Sequence, residues 1–183
     1  MSKFDHQDNG SKKIYILRHA KSDWNNDFRD DLERPLNKRG SKAALLMADF
    51  ISTLKSPPGL IYCSPARRAL QTIEPLVKKL HLSQDQINIC DEIYYSTPDS
   101  IINLIKKTPS KINTILITGH NPILENLVSI LTAAGQLNLK LPTAALAGIS
   151  PAGPSWLSLD EYVNRLDLLV TPKSLRFFTN NTD

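Results

Sequence analysis

Three short apolar runs, each followed by a helical pattern, constrain this chain more than any other feature. They are Lys13–Leu17 (KIYIL), Gly59–Cys63 (GLIYC) and Thr114–Thr118 (TILIT). All are rich in β-branched or aromatic residues and none alternates with polar positions, the signature of strands buried on both faces. From Asn37 to Leu54 the apolar positions Ala43, Leu46, Met47, Phe50, Ile51 and Leu54 recur at helical spacing, and Ser56-Pro57-Pro58-Gly59 stops them. Ser64-Pro65 places a capping hydroxyl before a proline, predicting a helix that starts there and kinks at Pro75. A short strand is expected at 87–90. Thr97-Pro98 repeats the cap-plus-proline pattern before IINLIKK, and Pro122 opens ILENLVSILTA, closed by Gly135. Two more β-like runs, Ala145–Ile149 and Tyr162–Val170, flank a loop, PAGPSWLSLDE, and suit an antiparallel pair. Strands alternating with helices give an α/β fold with a mainly parallel sheet of about six strands.

Composition narrows the class. The chain has 183 residues, 41% of them hydrophobic and 22% charged, as in an ordinary globular protein. Residues 1–11 are polar and read as a flexible tail, with no apolar segment that would make a secretory signal. No composition break divides 12–178, so one domain is expected there. No apolar run approaches the roughly 20 residues of a membrane span, and the expected location is the cytoplasm. Cys63 and Cys90 lie far apart with no Cys/His cluster near them, which suits reduced core thiols and argues against a metal site or a disulfide framework. The net charge of +4 comes without a dense Lys/Arg run carrying interleaved aromatics, so nucleic acid is a poor partner. Without a heptad, the chain is expected to be a monomer.

The chemistry-bearing residues fall where strands end. Strand one runs into Arg18-His19, strand two into a helix carrying Arg67 and Arg68, and strand three into His120 just before a helix. Ligands of open α/β sheets sit beyond the carboxyl ends of the strands, where helix N-termini favour anions. Guanidinium forks match phosphate oxygens, and a neutral imidazole can attack phosphorus or carry a proton. Singly, each of these residues reads as a surface charge or a structural hydrogen bond; together, at one sheet edge, they read as a phosphate site. Lys38, Arg39, Lys78 and Lys79 fit a solvated face, and His6 and His81 are expected to be idle.

LRHAKSDW, RPLNKRG, SPARRALQT and GHNP, in that order, resemble the histidine phosphatase superfamily and especially its small SixA-type phosphohistidine phosphatases. The resemblance spans about residues 13 to 170. It implies a phosphoglycerate mutase-like α/β three-layer sandwich and a covalent phosphohistidine intermediate, with no metal or other cofactor. By the same resemblance His19 is the nucleophile, Arg18 and Arg68 clamp the phosphoryl group, and His120 bonds its oxygens. Arg67 becomes a flanking charge and Asn25 a phosphate contact. Ala20 replaces the usual glycine of the Arg-His-Gly signature. Ser22, Thr143 and Ala144 fall near the expected pocket, and Arg34 fits a structural role equally well.

Mutase relatives carry a Glu general acid, and that motif is not intact in Cys90–Thr97. Glu92 is the best-placed candidate acid, ahead of Asp23 and Glu125. Because a P–N bond to imidazole needs a weaker acid than an alkyl phosphate, the gap favours phosphohistidine on a phosphotransfer protein. A small-molecule phosphomonoesterase using Glu92 and an inactive phosphoprotein-binding module are the alternatives.

Overall fold

A computed structural model describes residues 11–24 and 30–179. The tail expected at 1–11 therefore lies outside the described residues, save Ser11. Six strands form one mixed sheet: β1 (Lys13–Arg18), β2 (Leu60–Cys63), β3 (Ile87–Ile89), β4 (Thr114–Gly119), β5 (Leu146–Ser150) and β6 (Arg165–Val170). Six helices accompany them: α1 (Lys38–Ser52), α2 (Arg67–Leu80), α3 (Glu92–Tyr95), α4 (Pro98–Lys106), α5 (Ile123–Ala133) and α6 (Pro172–Thr179). The strand order is β3-β2-β4-β1-β5-β6. The β3-β2, β2-β4 and β4-β1 pairs are parallel, whereas β5 runs antiparallel to both β1 and β6. This is the mixed, mainly parallel sheet expected.

The pleat explains the layers. Side chains alternate across a strand, so Ile14 and Ile16 of β1 join Ile115 and Ile117 in a core completed by Ile101, Ile105, Leu124 and Leu127 of α4 and α5. Tyr15 and Leu17 point the other way, into a core with Ile61, Cys63 and Leu116, covered by Ala44, Met47 and Ile51 of α1 and Ile73 and Leu76 of α2. Helices on both faces complete three layers. Among the described residues, no helix is long and apolar enough to cross a membrane.

Two boundaries differ from the sequence reading. The helix after β2 begins at Arg67, with Ala66 as its cap residue and no side-chain cap, instead of at Ser64-Pro65. The Ser64 hydroxyl is engaged elsewhere, as described below. The last strand begins at Arg165 instead of Tyr162, because buried Asn164 turns the chain there and donates to the carbonyls of Leu131 and Leu159. Helix α2 continues through Pro75 without a break.

Candidate active site

The parallel pairing of β1 with β4 places their carboxyl ends side by side, with Arg18 opposite Gly119. The next residues, His19 and His120, are thus neighbours. The His19 amide donates to the Gly119 carbonyl at 3.0 Å, and the two rings lie 4.9 Å apart between centroids. Strand β2 flanks β4 on its other side, so the first turn of α2 delivers Arg68 to the same edge. Gly119 permits this crowding, since a Cβ there would lie 2.5 Å from Ile93 Cγ2 of α3.

The hydrogen bonds fix both tautomers. His19 Nδ1 lies 2.7 Å from the Ala20 carbonyl, which can only accept. Nδ1 therefore carries the proton and Nε2 holds a lone pair. Burial lowers the His19 pKa to about 4; the Ala20 carbonyl opposes that shift, while Arg68, Arg18 and Arg34 reinforce it. The ring is neutral at pH 7. His120 Nδ1 lies 3.3 Å from Arg68 Nη2, a group that can only donate, so its proton sits on Nε2 and is given to Ser64 Oγ at 2.8 Å. Burial, with His19 and Arg68 beside it, lowers the His120 pKa to about 3 against a small opposing pull from Asp31.

Arg68 is buried. Its Nη1 donates to the Asp31 carbonyl at 2.7 Å and its Nη2 to Asp31 Oδ2 at 2.8 Å. Arg18 Nη1 donates to the Leu141 carbonyl at 2.7 Å. The Nε–H groups of Arg18 and Arg68 are both buried without a hydrogen-bond partner. Arg18 and Arg68 share a cavity wall with the His19 ring, and guanidinium groups of this kind suit a tetrahedral oxyanion.

A third guanidinium completes the wall. Arg34 donates through Nε and Nη2 to Asp31 Oδ1 (2.9 and 2.6 Å) and through Nη1 to Ser22 Oγ. Tyr94 of α3 donates its hydroxyl to Asp31 Oδ2 at 2.7 Å and sets its ring edge-on to His120 at 5.0 Å. Burial alone would raise the Asp31 pKa, but bonds from Tyr94 and Arg34 and the charges of Arg68 and Arg34 hold it at about 2. Asp31 is thus a permanent anion linking two arginines.

These groups line a cavity of about 340 Å³ bounded by Arg18, His19, Lys21, Ser22, Trp24, Arg34, Arg68, His120, Asn121 and Thr143. Among the described residues that line it, four are cationic and none is a carboxylate. Of the residues singled out in the sequence, Arg18, His19, Arg68 and His120 converge here. Asn25 lies outside the described residues. Glu92 is exposed on α3 and does not line the cavity; Tyr94 of the same helix is the residue that reaches the site. Arg67 is exposed, as expected of a flanking charge. Glu125 accepts from the Leu141 amide at 2.8 Å and so ties down the loop whose carbonyl holds Arg18. Asp31, Tyr94 and the Ser64–His120 bond escaped sequence reasoning. The spacing of Asp31 and Arg34 in DLER, three residues apart, was the available signal for one of them. Among the described residues, no cluster of three or more His, Cys, Asp or Glu side chains that could hold a metal ion comes together.

Comparison with known proteins agrees with this geometry. The model of the histidine phosphatase superfamily (branch 1) matches residues 14–113. An uncharacterised chloroplastic protein of Arabidopsis thaliana is 31% identical over 155 residues, covering 80% of this chain and 69% of its own. An uncharacterised protein of Mycobacterium leprae (strain TN) is 28% identical over 155 residues, covering 79% of this chain and 92% of its own. Among solved structures, the protein histidine phosphatase SixA complexed with tungstate superposes with a TM-score of 0.77 at 22% identity, covering 89% of this chain and 99% of that one. A structure from Agrobacterium tumefaciens described as a phosphohistidine phosphatase SixA candidate gives a TM-score of 0.72 at 25% identity, covering 88% and 99%. The chain belongs to the histidine phosphatase superfamily, branch 1. It is a phosphatase-class hydrolase with the phosphoglycerate mutase-like fold.

Proposed function

We propose that this protein hydrolyses phosphohistidine carried by a phosphorelay-type protein, with His19 as the covalent nucleophile. The observation that carries the reading is the company of the His19 lone pair: the guanidinium groups of Arg18, Arg34 and Arg68 share its cavity wall, and no carboxylate does among the described residues. The SixA structure that this chain resembles in fold holds tungstate, a tetrahedral oxyanion, which suits such a receptor.

The steps follow from the tautomers. His19 Nε2 attacks phosphorus while Nδ1–H stays on the Ala20 carbonyl. The substrate P–N bond breaks, its electron pair returns to the ring nitrogen, and that nitrogen takes a proton from water. Because imidazole is a good leaving group once protonated, no buried acid is required. Water then attacks the phosphoryl group on His19, Nε2 regains its lone pair, and inorganic phosphate leaves. Arg18 and Arg68 neutralise the equatorial oxygens throughout. A bound dianion favours protonation of His120, whose Nδ1–H then donates to a phosphoryl oxygen instead of accepting from Arg68.

A substrate panel tests this. Wild-type protein is expected to turn over a phosphohistidine protein faster than sugar phosphates or a phosphoserine peptide. His19→Ala should abolish turnover and Arg68→Ala should slow it ~10²-fold. Faster hydrolysis of sugar phosphates would replace this reading with a small-molecule phosphomonoesterase.

A further inference from the structure

We propose that Trp24 is the specificity platform of this site, an indole face on which the planar leaving group of the substrate stacks. The proposal rests on the phosphohistidine reading above and names what selects that substrate. Trp24 lines the cavity yet is 75% exposed.

One face of the ring is already occupied. The Arg34 guanidinium carbon lies 3.7 Å from the ring centroid, and Arg34 is 8% exposed, pinned by Asp31 and Ser22. The indole is therefore seated on a fixed cation, with most of its surface open to solvent.

Geometry decides what meets that surface. His19 is buried at the floor of the cavity and must approach phosphorus opposite the bond that breaks. The leaving group therefore points outward, to the mouth where Trp24 stands. A flat ring attached directly to phosphorus, such as the imidazole of phosphohistidine, can lie along the indole. Stacking of this kind needs only a ring face and tolerates variation in the rest of the substrate. The ammonia released from phosphoramidate offers no such surface.

The test compares two N-phosphoryl substrates, a phosphohistidine peptide and phosphoramidate, which differ in the ring. In Trp24→Ala the ratio of their kcat/KM values is expected to fall about tenfold, and in Trp24→Phe it should be largely retained. An unchanged ratio in Trp24→Ala overturns the proposal, as does an equal loss in the Phe variant. If wild-type protein ignores phosphohistidine, the function reading fails separately. The platform is then read from aryl against alkyl phosphate: loss of the aryl preference in Trp24→Ala supports it, and an unaltered preference overturns it.

Discussion

At the scale of residues, the site works by controlling where single protons reside. The Ala20 carbonyl claims the Nδ1 proton of His19, and Arg68 claims the Nδ1 lone pair of His120, so each ring has one available tautomer. Ser64, fully buried, accepts from the His120 Nε2–H. Ser64→Ala leaves that donor unsatisfied, a cost of about 1–3 kcal/mol. A thermal melt should show a Tm lower by several degrees, with reduced kcat; an unaltered Tm and kcat would show that the bond does not matter. The four residues at strand ends were legible because each is fixed by local sequence and strand order. Ser64 was misread as a helix cap because capping and long-range bonding use the same hydroxyl, and only tertiary structure decides between them. Tyr94 and the long-range bonds of Asp31 were invisible for a related reason. Asp31 sits in a charged segment that reads as solvated, and its partners Arg68 and Tyr94 are 37 and 63 residues away.

At the scale of elements, the loop after β1 and the first turn of α1 are built as one unit. Asn37 caps α1 by accepting from the Gly40 amide at 2.8 Å, while its own amide donates to the Lys21 carbonyl at 3.0 Å and its side chain to that of Ser22 at 3.2 Å. This explains the glycine of RPLNKRG: a Cβ at Gly40 would lie 2.0 Å from the Lys21 carbonyl oxygen. Gly40→Ala must push the helix and the loop apart. Stability by denaturant titration and kcat/KM are expected to fall together, because Ser22 and Arg34 lie on the displaced side. Full activity in a folded Gly40→Ala protein would separate the two elements. The strands were readable because burial on both faces leaves continuous apolar runs. The edge strand β6 was drawn three residues too long, since its apolar approach, Tyr162 and Val163, is exposed surface preceding the Asn164 turn.

At the scale of the whole molecule, one edge of the sheet concentrates cations around two imidazoles that are neutral in the free protein. Folding therefore depends on pH in a definite sense. The unfolded chain protonates its histidines near 6.5, whereas His19 and His120 in the fold resist protonation to about 4 and about 3. Below pH 6.5 the unfolded state binds more protons than the native state, so stability falls as pH drops from about 6.5 toward 4. Tm measured across that range should decline, and less steeply in a His19→Ala, His120→Asn double variant; parallel curves for the two proteins would contradict this linkage.

The loop that follows α5 has a role larger than its length. The Leu141 carbonyl oxygen receives Arg18 Nη1 from β1 and Asn121 Nδ2 from the turn after β4, while Glu125 anchors the amide of the same residue. Two walls of the cavity, Arg18 and Asn121, thus share one footing on a segment outside the sheet. Descendants of this sequence could retune anion affinity by altering that short connection alone, leaving the nucleophile, both cores and every strand register as they are.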